Sequence, residues 1–352
     1  MNIEFKIQLD DNGEATGVPG LPSQTQSPVV IGPIVICGSG PGPRLRTDGP
    51  QSDPGPRLAA AAATLYEHHV LAPSHAGGHN KTPTWPSYTG KSLLVGTSQS
   101  GRVTVYVDPT LGAPAHQNAR DLINDADRVV AANDALFGTT GGPVNVIVFA
   151  LGGVTDGTGG ADHMSCDYTN GADIEVCASF GSPIRVSALF EAELSECSMN
   201  GQLCGLSTGE ALSRWCAAII GNNALSDFAT APQWANGGMP DFVNQTDPTD
   251  QGPLSTGCGM AFLSWLISLG YGLDRIAPAM VSLGDAGTLA QLYASLTAKP
   301  ASQAWGAFQN AVQALPKGVA DDDPFGGLSR ALHLAHPALV AACRIGSHRL
   351  RK

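Results

Sequence analysis

The sequence predicts an α+β fold, with a mixed β-sheet in its first half and a helical second half. Three observations carry this. Apolar segments of strand length and alternation recur between residues 92 and 177. One long helical pattern, 114–137, falls among them. From Ser182 onward, six helical patterns follow one another with short breaks.

Each element has a local reason. Residues 11–57 are rich in Gly, Pro, Ser and Gln and repeat Pro-Gly-Pro-Arg at 41–44 and 54–57. They read as irregular chain with one apolar run over 29–37. Residues 58–70 have helical composition, and His68, His69, His75 and His79 follow around Pro73. Residues 92–95 and 102–107 form two strands paired around Gln99-Ser100-Gly101. Pro114 opens the long helix and Gly138 closes it. Residues 144–149, Val-Asn-Val-Ile-Val-Phe, read as a buried strand. A Gly-rich loop over 152–160 leads to 174–177, expected as the edge strand. The later helices are expected at 183–199, 208–221, 257–269, 272–283, 287–297 and 301–315. The expected organisation is a Gly/Pro-rich region over 1–90, an α+β domain over 91–327 and a basic tail over 328–352.

Composition narrows the function classes. The chain has 352 residues, 43 Gly, 25 Pro and only 14% charged residues, against a typical charged share of roughly 25%. The net charge of −11 disfavours a nucleic-acid backbone as partner. No apolar run reaches 18 residues, so no membrane span is expected. Eight cysteines and few lysines suggest an exported protein, secreted or extracytoplasmic, although residues 1–6 lack the features of a signal peptide. Pairs close in sequence, Cys166–Cys177 and Cys197–Cys204, are the expected disulfides. Cys216 and Cys258 are left as a pair or as buried thiols.

The helix starting at Ser182-Pro183 holds the candidate chemistry. At 100° per residue, Val186, Leu189, Phe190, Leu194 and Cys197 share one face. Glu193 falls in its middle, Glu196 at its margin and Glu191 well away. A carboxylate on such a stripe needs a partner or a proton, and this is a common property of functional acids. The alternative is a structural acid bonded to backbone or to an arginine such as Arg214. Glu210 also has two compatible readings, since Ser207-x-x-Glu210 fits a capping box and the same side chain can line a cleft. Gly205-x-Ser207-x-Gly209 fits a nucleophile elbow but lacks a strand before it, so Ser207 reads as a helix cap. His163 and Asp167 are placed to reach a cleft from the loop. Trp234, like Trp85, sits near prolines and could stack on a ligand.

The segments Ala192-Glu193-Leu194-Ser195-Glu196 and Gly209-Glu210-Ala211-Leu212-Ser213-Arg214 resemble the paired active-site helices of zincins, specifically the thermolysin-like metallopeptidases. Those proteases carry His-Glu-x-x-His on one helix and a third ligand on the next. Here the two histidine positions hold Ala192 and Glu196, and Glu193 and Glu210 lie closer in sequence than that family's spacing. The resemblance implies a zincin-like fold over about 91–315. It places Glu193 at the general-base position, with Glu196 and Glu210 at ligand positions. Without the histidines, no zinc on this helix and no cofactor are expected. Two functions stay open, with the first preferred and the second its alternative. One is a hydrolase, peptidase or glycosidase, in which Glu193, Glu196 and Glu210 act on a peptide or glycan held by His163, Asp167 and Trp234. The other is a non-catalytic zincin-like protein that binds a peptide or carbohydrate ligand. Whether the chain is an enzyme at all, and its oligomeric state, are left open.

Overall fold

A computed structural model of the chain describes residues 82–167, 169 and 171–328, together with 8–9 and 15–17. The chain divides into two compact units, Met1–Gly32 and Pro33–Lys352. In the first, strands β1 (Gln8–Leu9) and β2 (Ala15–Gly17) pair antiparallel. The helix expected over 58–70, the histidines at 68–79, the apolar run at 29–37 and the tail from 329 lie outside the described residues.

The second unit is α+β. Its five-stranded mixed sheet consists of β3 (Leu93–Thr97), β4 (Val103–Val107), β5 (Val144–Phe149), β6 (Ala161–His163) and β7 (Ala172–Cys177). Their spatial order is β3-β4-β5-β7-β6. β4, β5 and β7 run parallel, and the two outer strands are antiparallel to their neighbours. The strand expected at the edge, β7, is therefore interior. The edge is β6, a three-residue strand hidden in the sequence between the Gly-rich loop and Cys166. β7 is buried almost throughout, as an interior strand must be.

Side-chain alternation gives the sheet two unlike faces. Val105, Val146 and Ile174 stand in register on one face, and Tyr106, Ile147 and Glu175 on the other. The first face is covered by α1 (Gly112–Phe137) and α2 (Pro183–Cys197). Helix α1 presents Ala115, Ala119, Leu122, Ala126, Val129 and Val130 to it, the three- and four-residue spacing of a single helical stripe. Gly138 ends α1 with φ of 66°, a left-handed conformation that suits glycine. The second face is met by residues 84–88. The Ser87 and Tyr88 amides and the Ser87 hydroxyl donate to the buried Glu175 carboxylate, and Thr84 N donates to Asp173 at 2.7 Å. Trp85 and Tyr88 pack edge-on against Tyr106 and Phe149.

The helical half follows as α3 (Ser207–Ile220), α4 (Ala231–Asn236), α5 (Pro253–Ser268), α6 (Leu273–Leu283), α7 (Leu289–Thr297) and α8 (Ala304–Gln313). Helix α4 is the one the sequence does not announce. A second core forms here around Trp215, Trp234, Phe262, Trp265 and Phe308. Helix α5 is apolar or small on every side and lies at its centre. Gly257 of α5 sits against the Thr230 carbonyl, leaving no room for a Cβ. Among the described residues, no helix is long and apolar enough to cross a membrane.

Candidate functional site

Helix α2 packs between the sheet and its neighbouring helices. It packs against α1, α3, β6 and β7, and every residue from Val186 to Cys197 is buried. The one-sided stripe expected for it is thus only part of its burial. Glu191, expected to point away from the apolar face, is also fully buried, because α1 and α3 close over that side.

On the sheet side, Glu193 meets β6. Ala161 and His163 share a face of that strand, and His163 stands opposite Ile174 in register, which turns its ring toward α2. His163 Nδ1 lies 2.8 Å from Glu193 Oε2. An ionised carboxylate can only accept, so Nδ1 is the donor, and in the neutral ring the lone pair falls on Nε2. The pair is sealed, with side-chain exposures of 7% for His163 and 0% for Glu193. Nε2 points at two sulfurs, 3.8 Å from Cys166 Sγ and 3.9 Å from Cys204 Sγ.

Those two sulfurs form a disulfide, joining the loop after β6 to the connection between α2 and α3. Both expected disulfides are overturned. Cys177 and Cys197 are free and buried. Cys197 Sγ donates to the Ser165 carbonyl at 2.8 Å, and Cys177 sits among the carbonyls of Leu151, Val154 and Ala178. Proximity along the chain misleads here, because the sheet carries the end of β7 away from the loop that holds Cys166. Burial, and then the negative charges of Glu193 and Glu196, push the Cys197 thiol well above its usual range. Glu196 itself is 2% exposed and lies one turn beyond Glu193.

The other expected residues fall in different places. Glu210 is not a capping residue. Its Oε1 accepts from Arg214 Nε at 2.7 Å, one turn along α3, and Arg214 also donates to the Phe228 carbonyl at 2.7 Å. Both side chains are buried, and a buried guanidinium binds a carboxylate more strongly than a neutral backbone amide does. Arg214, considered as a partner for Glu193, thus belongs to Glu210. Ser207 opens α3 as its first residue, and its hydroxyl accepts from Asp247 N at 3.3 Å. Asp167 accepts from Thr169 N at 2.8 Å, closing its own turn. Trp234 lies in the second core, 1% exposed and stacked on Phe308, with Nε1 donating to the Pro240 carbonyl. The structure therefore brings His163 and Glu193 together beside the two sulfurs, and sets Trp234 apart in the helical core.

Glu191 gives the contrasting case on the same helix. Neither of its carboxyl oxygens has a hydrogen-bond partner. Burial pushes its pKa well above the usual carboxylate range, Arg128 opposes the shift and Asp134 adds to it. A cavity of about 150 Å³ opens further along, lined by Arg214, Trp215, Phe228 and Asp321 to Asp323. It does not include His163, Glu193 or Glu196.

The signal that sequence reasoning missed is the sulfur pair beside His163. Cys166 follows His163 by three residues, and that spacing was the available clue.

No family model matches the chain, and no curated protein matches it. A solved structure, that of native yeast LTA4 hydrolase, is similar over 58% of this chain, with a TM-score of 0.32 and 14% identity. The chain spans 35% of that hydrolase's length.

Proposed function

We propose that this chain is a non-catalytic binding protein on a zincin-like scaffold, with a peptide as its ligand. One observation carries the reading: Glu193 is wholly buried, with its carboxylate committed to His163. A general base must reach the proton it removes, directly or through one water. Two further features agree. The metal-ligand positions of the zincin pattern hold Ala192 and Glu196, and the third, Glu210, is paired with Arg214. The scaffold reading rests on the mixed sheet, its antiparallel edge strand and the Glu193 helix beneath that strand.

Strand β6 forms the edge of the sheet. Gly160 and Met164 bond inward to β7, and on the other side Ala161 is buried and His163 N donates to the Asp162 carboxylate at 2.7 Å. Met164, half exposed, adds an apolar contact at the strand's end. The Cys166–Cys204 disulfide supports maturation in an oxidising, extracytoplasmic compartment.

The test joins a peptide-display screen to a turnover assay on peptides and glycans. Binding without turnover is expected. Turnover that drops on the order of a hundredfold in Glu193→Gln would overturn the reading in favour of a hydrolase. That second reading has one observation of its own, an imidazole oriented by a carboxylate as in nucleophile-activating sites.

A further inference from the structure

We propose that His163, Cys166 and Cys204 form a redox-gated binding site for a zinc-type divalent cation, closed when the disulfide is intact and open when it is reduced. The ligand atoms converge: His163 Nε2 and the two Sγ atoms all lie within 4.8 Å of one another. In a tetrahedral zinc site, Zn–S near 2.3 Å and Zn–N near 2.1 Å set the nitrogen–sulfur separation at about 3.6 Å. The observed separations are 3.8 and 3.9 Å. Nitrogen and sulfurs thus already stand at nearly the edge length of that tetrahedron. Only the two sulfurs must part, to about 3.8 Å by the same geometry, and their Cα atoms are 6.0 Å apart on two separate segments.

A second observation points the same way. Glu193 engages Nδ1, so in the neutral ring the Nε2 lone pair faces sulfurs that have no proton to give while the disulfide stands. A carboxylate behind a histidine, fixing its tautomer and raising its basicity, is the usual outer support of a metal-bound imidazole. Glu193 is then a positioning residue, and its burial, which counts against a role in hydrolysis, is what that support needs. This inference stands independently of the peptide-binding reading.

The chemistry balances with a dithiol reductant. The reductant gives two electrons and two protons to the Cys166–Cys204 bond and is itself oxidised to a disulfide. The two thiols then lose their protons as the cation binds, and neutral His163 contributes Nε2 without a proton change. Three protein ligands leave a fourth position for water. A disulfide oxidant takes two electrons from the two thiolates and is itself reduced to a dithiol, which restores the Cys166–Cys204 bond and expels the cation. The site does not use the Glu196 and Ala192 positions at which a zincin would hold its metal.

The experiment uses the full chain. It is oxidised or reduced with a non-chelating phosphine, then titrated with Co²⁺ and Zn²⁺. We expect the reduced chain to bind one Co²⁺ with thiolate-to-cobalt charge-transfer absorption, and the oxidised chain to show none. Zinc should shield Cys166 and Cys204 from alkylation in the wild-type chain, a readout that needs no variant to fold. X-ray absorption should find two sulfurs and one imidazole nitrogen. Glu193→Gln should weaken binding 10- to 100-fold while the oxidised protein unfolds at nearly the wild-type temperature. Binding without sulfur ligands, protection of other cysteines, or equal binding by the oxidised chain would overturn the proposal.

Discussion

The two sides of helix α2 solve the same problem differently. Toward β6, Glu193 is buried with a partner, His163, at 2.8 Å. Toward α1 and α3, Glu191 is buried to the same degree with neither oxygen bonded. The paired side can hold a charge in the interior. The unpaired side stays folded by taking a proton, since an isolated carboxylate there would be far costlier than a neutral acid. Burial alone therefore does not mark a functional acid. The partner does, and with it the oriented imidazole that only the Glu193 side possesses.

Removing the partner should have the largest effect. His163→Ala takes the imidazole donor from the buried Glu193 carboxylate, and we expect a loss of about 3 kcal/mol, read by urea unfolding at neutral pH. A loss under 1 kcal/mol would show that the two sides are equivalent. Next, Glu191→Met replaces an unbonded carboxyl with an apolar side chain of similar length. It should stabilise the protein by about 1–3 kcal/mol at neutral pH.

That gain should depend on pH, with a definite sign. The folded pKa of Glu191 lies above its unfolded value. The folded state therefore holds the proton more tightly, and this favourable contribution is complete below the unfolded value, near 4.3. It is lost as pH rises toward and through the raised folded pKa. The advantage of Glu191→Met should thus be smallest near pH 4 and grow as the pH is raised, in paired unfolding curves. A pH-independent gain would mean that Glu191 is not the titrating group.

Glu193→Gln should be the mildest change. The amide can still accept from His163 Nδ1, so a neutral bond replaces a charge-assisted one, at about 1 kcal/mol. Thermal unfolding checks this, and a loss as large as that of His163→Ala would make the charge itself, not the contact, the stabilising feature.

Much of this arrangement is legible in the sequence. Strands 93–97 and 103–107, helix α1 and strand 144–149 follow from periodicity and their bounding glycines. Glu193 is marked by its place on an apolar face. The rest depends on long-range pairing, which periodicity does not carry. β6 has three residues, two of them Asp162 and His163, and resembles loop until β7 pairs with it. Cys166 and Cys204 are 38 positions apart and are joined only once β6 lies over α2. Glu210 matched a capping pattern, and Arg214 at the next turn competes for the same carboxylate. Helix α4 is six residues long, below the span at which a helical period shows itself.

Glu175 bears on where this folding unit begins. Its carboxylate lies buried on the central sheet, and its donors come from Ser87 and Tyr88, upstream of the first strand of that sheet. A chain trimmed to start at residue 91 would keep every described strand and helix of the α+β unit and still leave this acid without those donors. The autonomous segment therefore reaches upstream of its described secondary structure at least as far as Ser87, held there by the charge of an acid within the sheet.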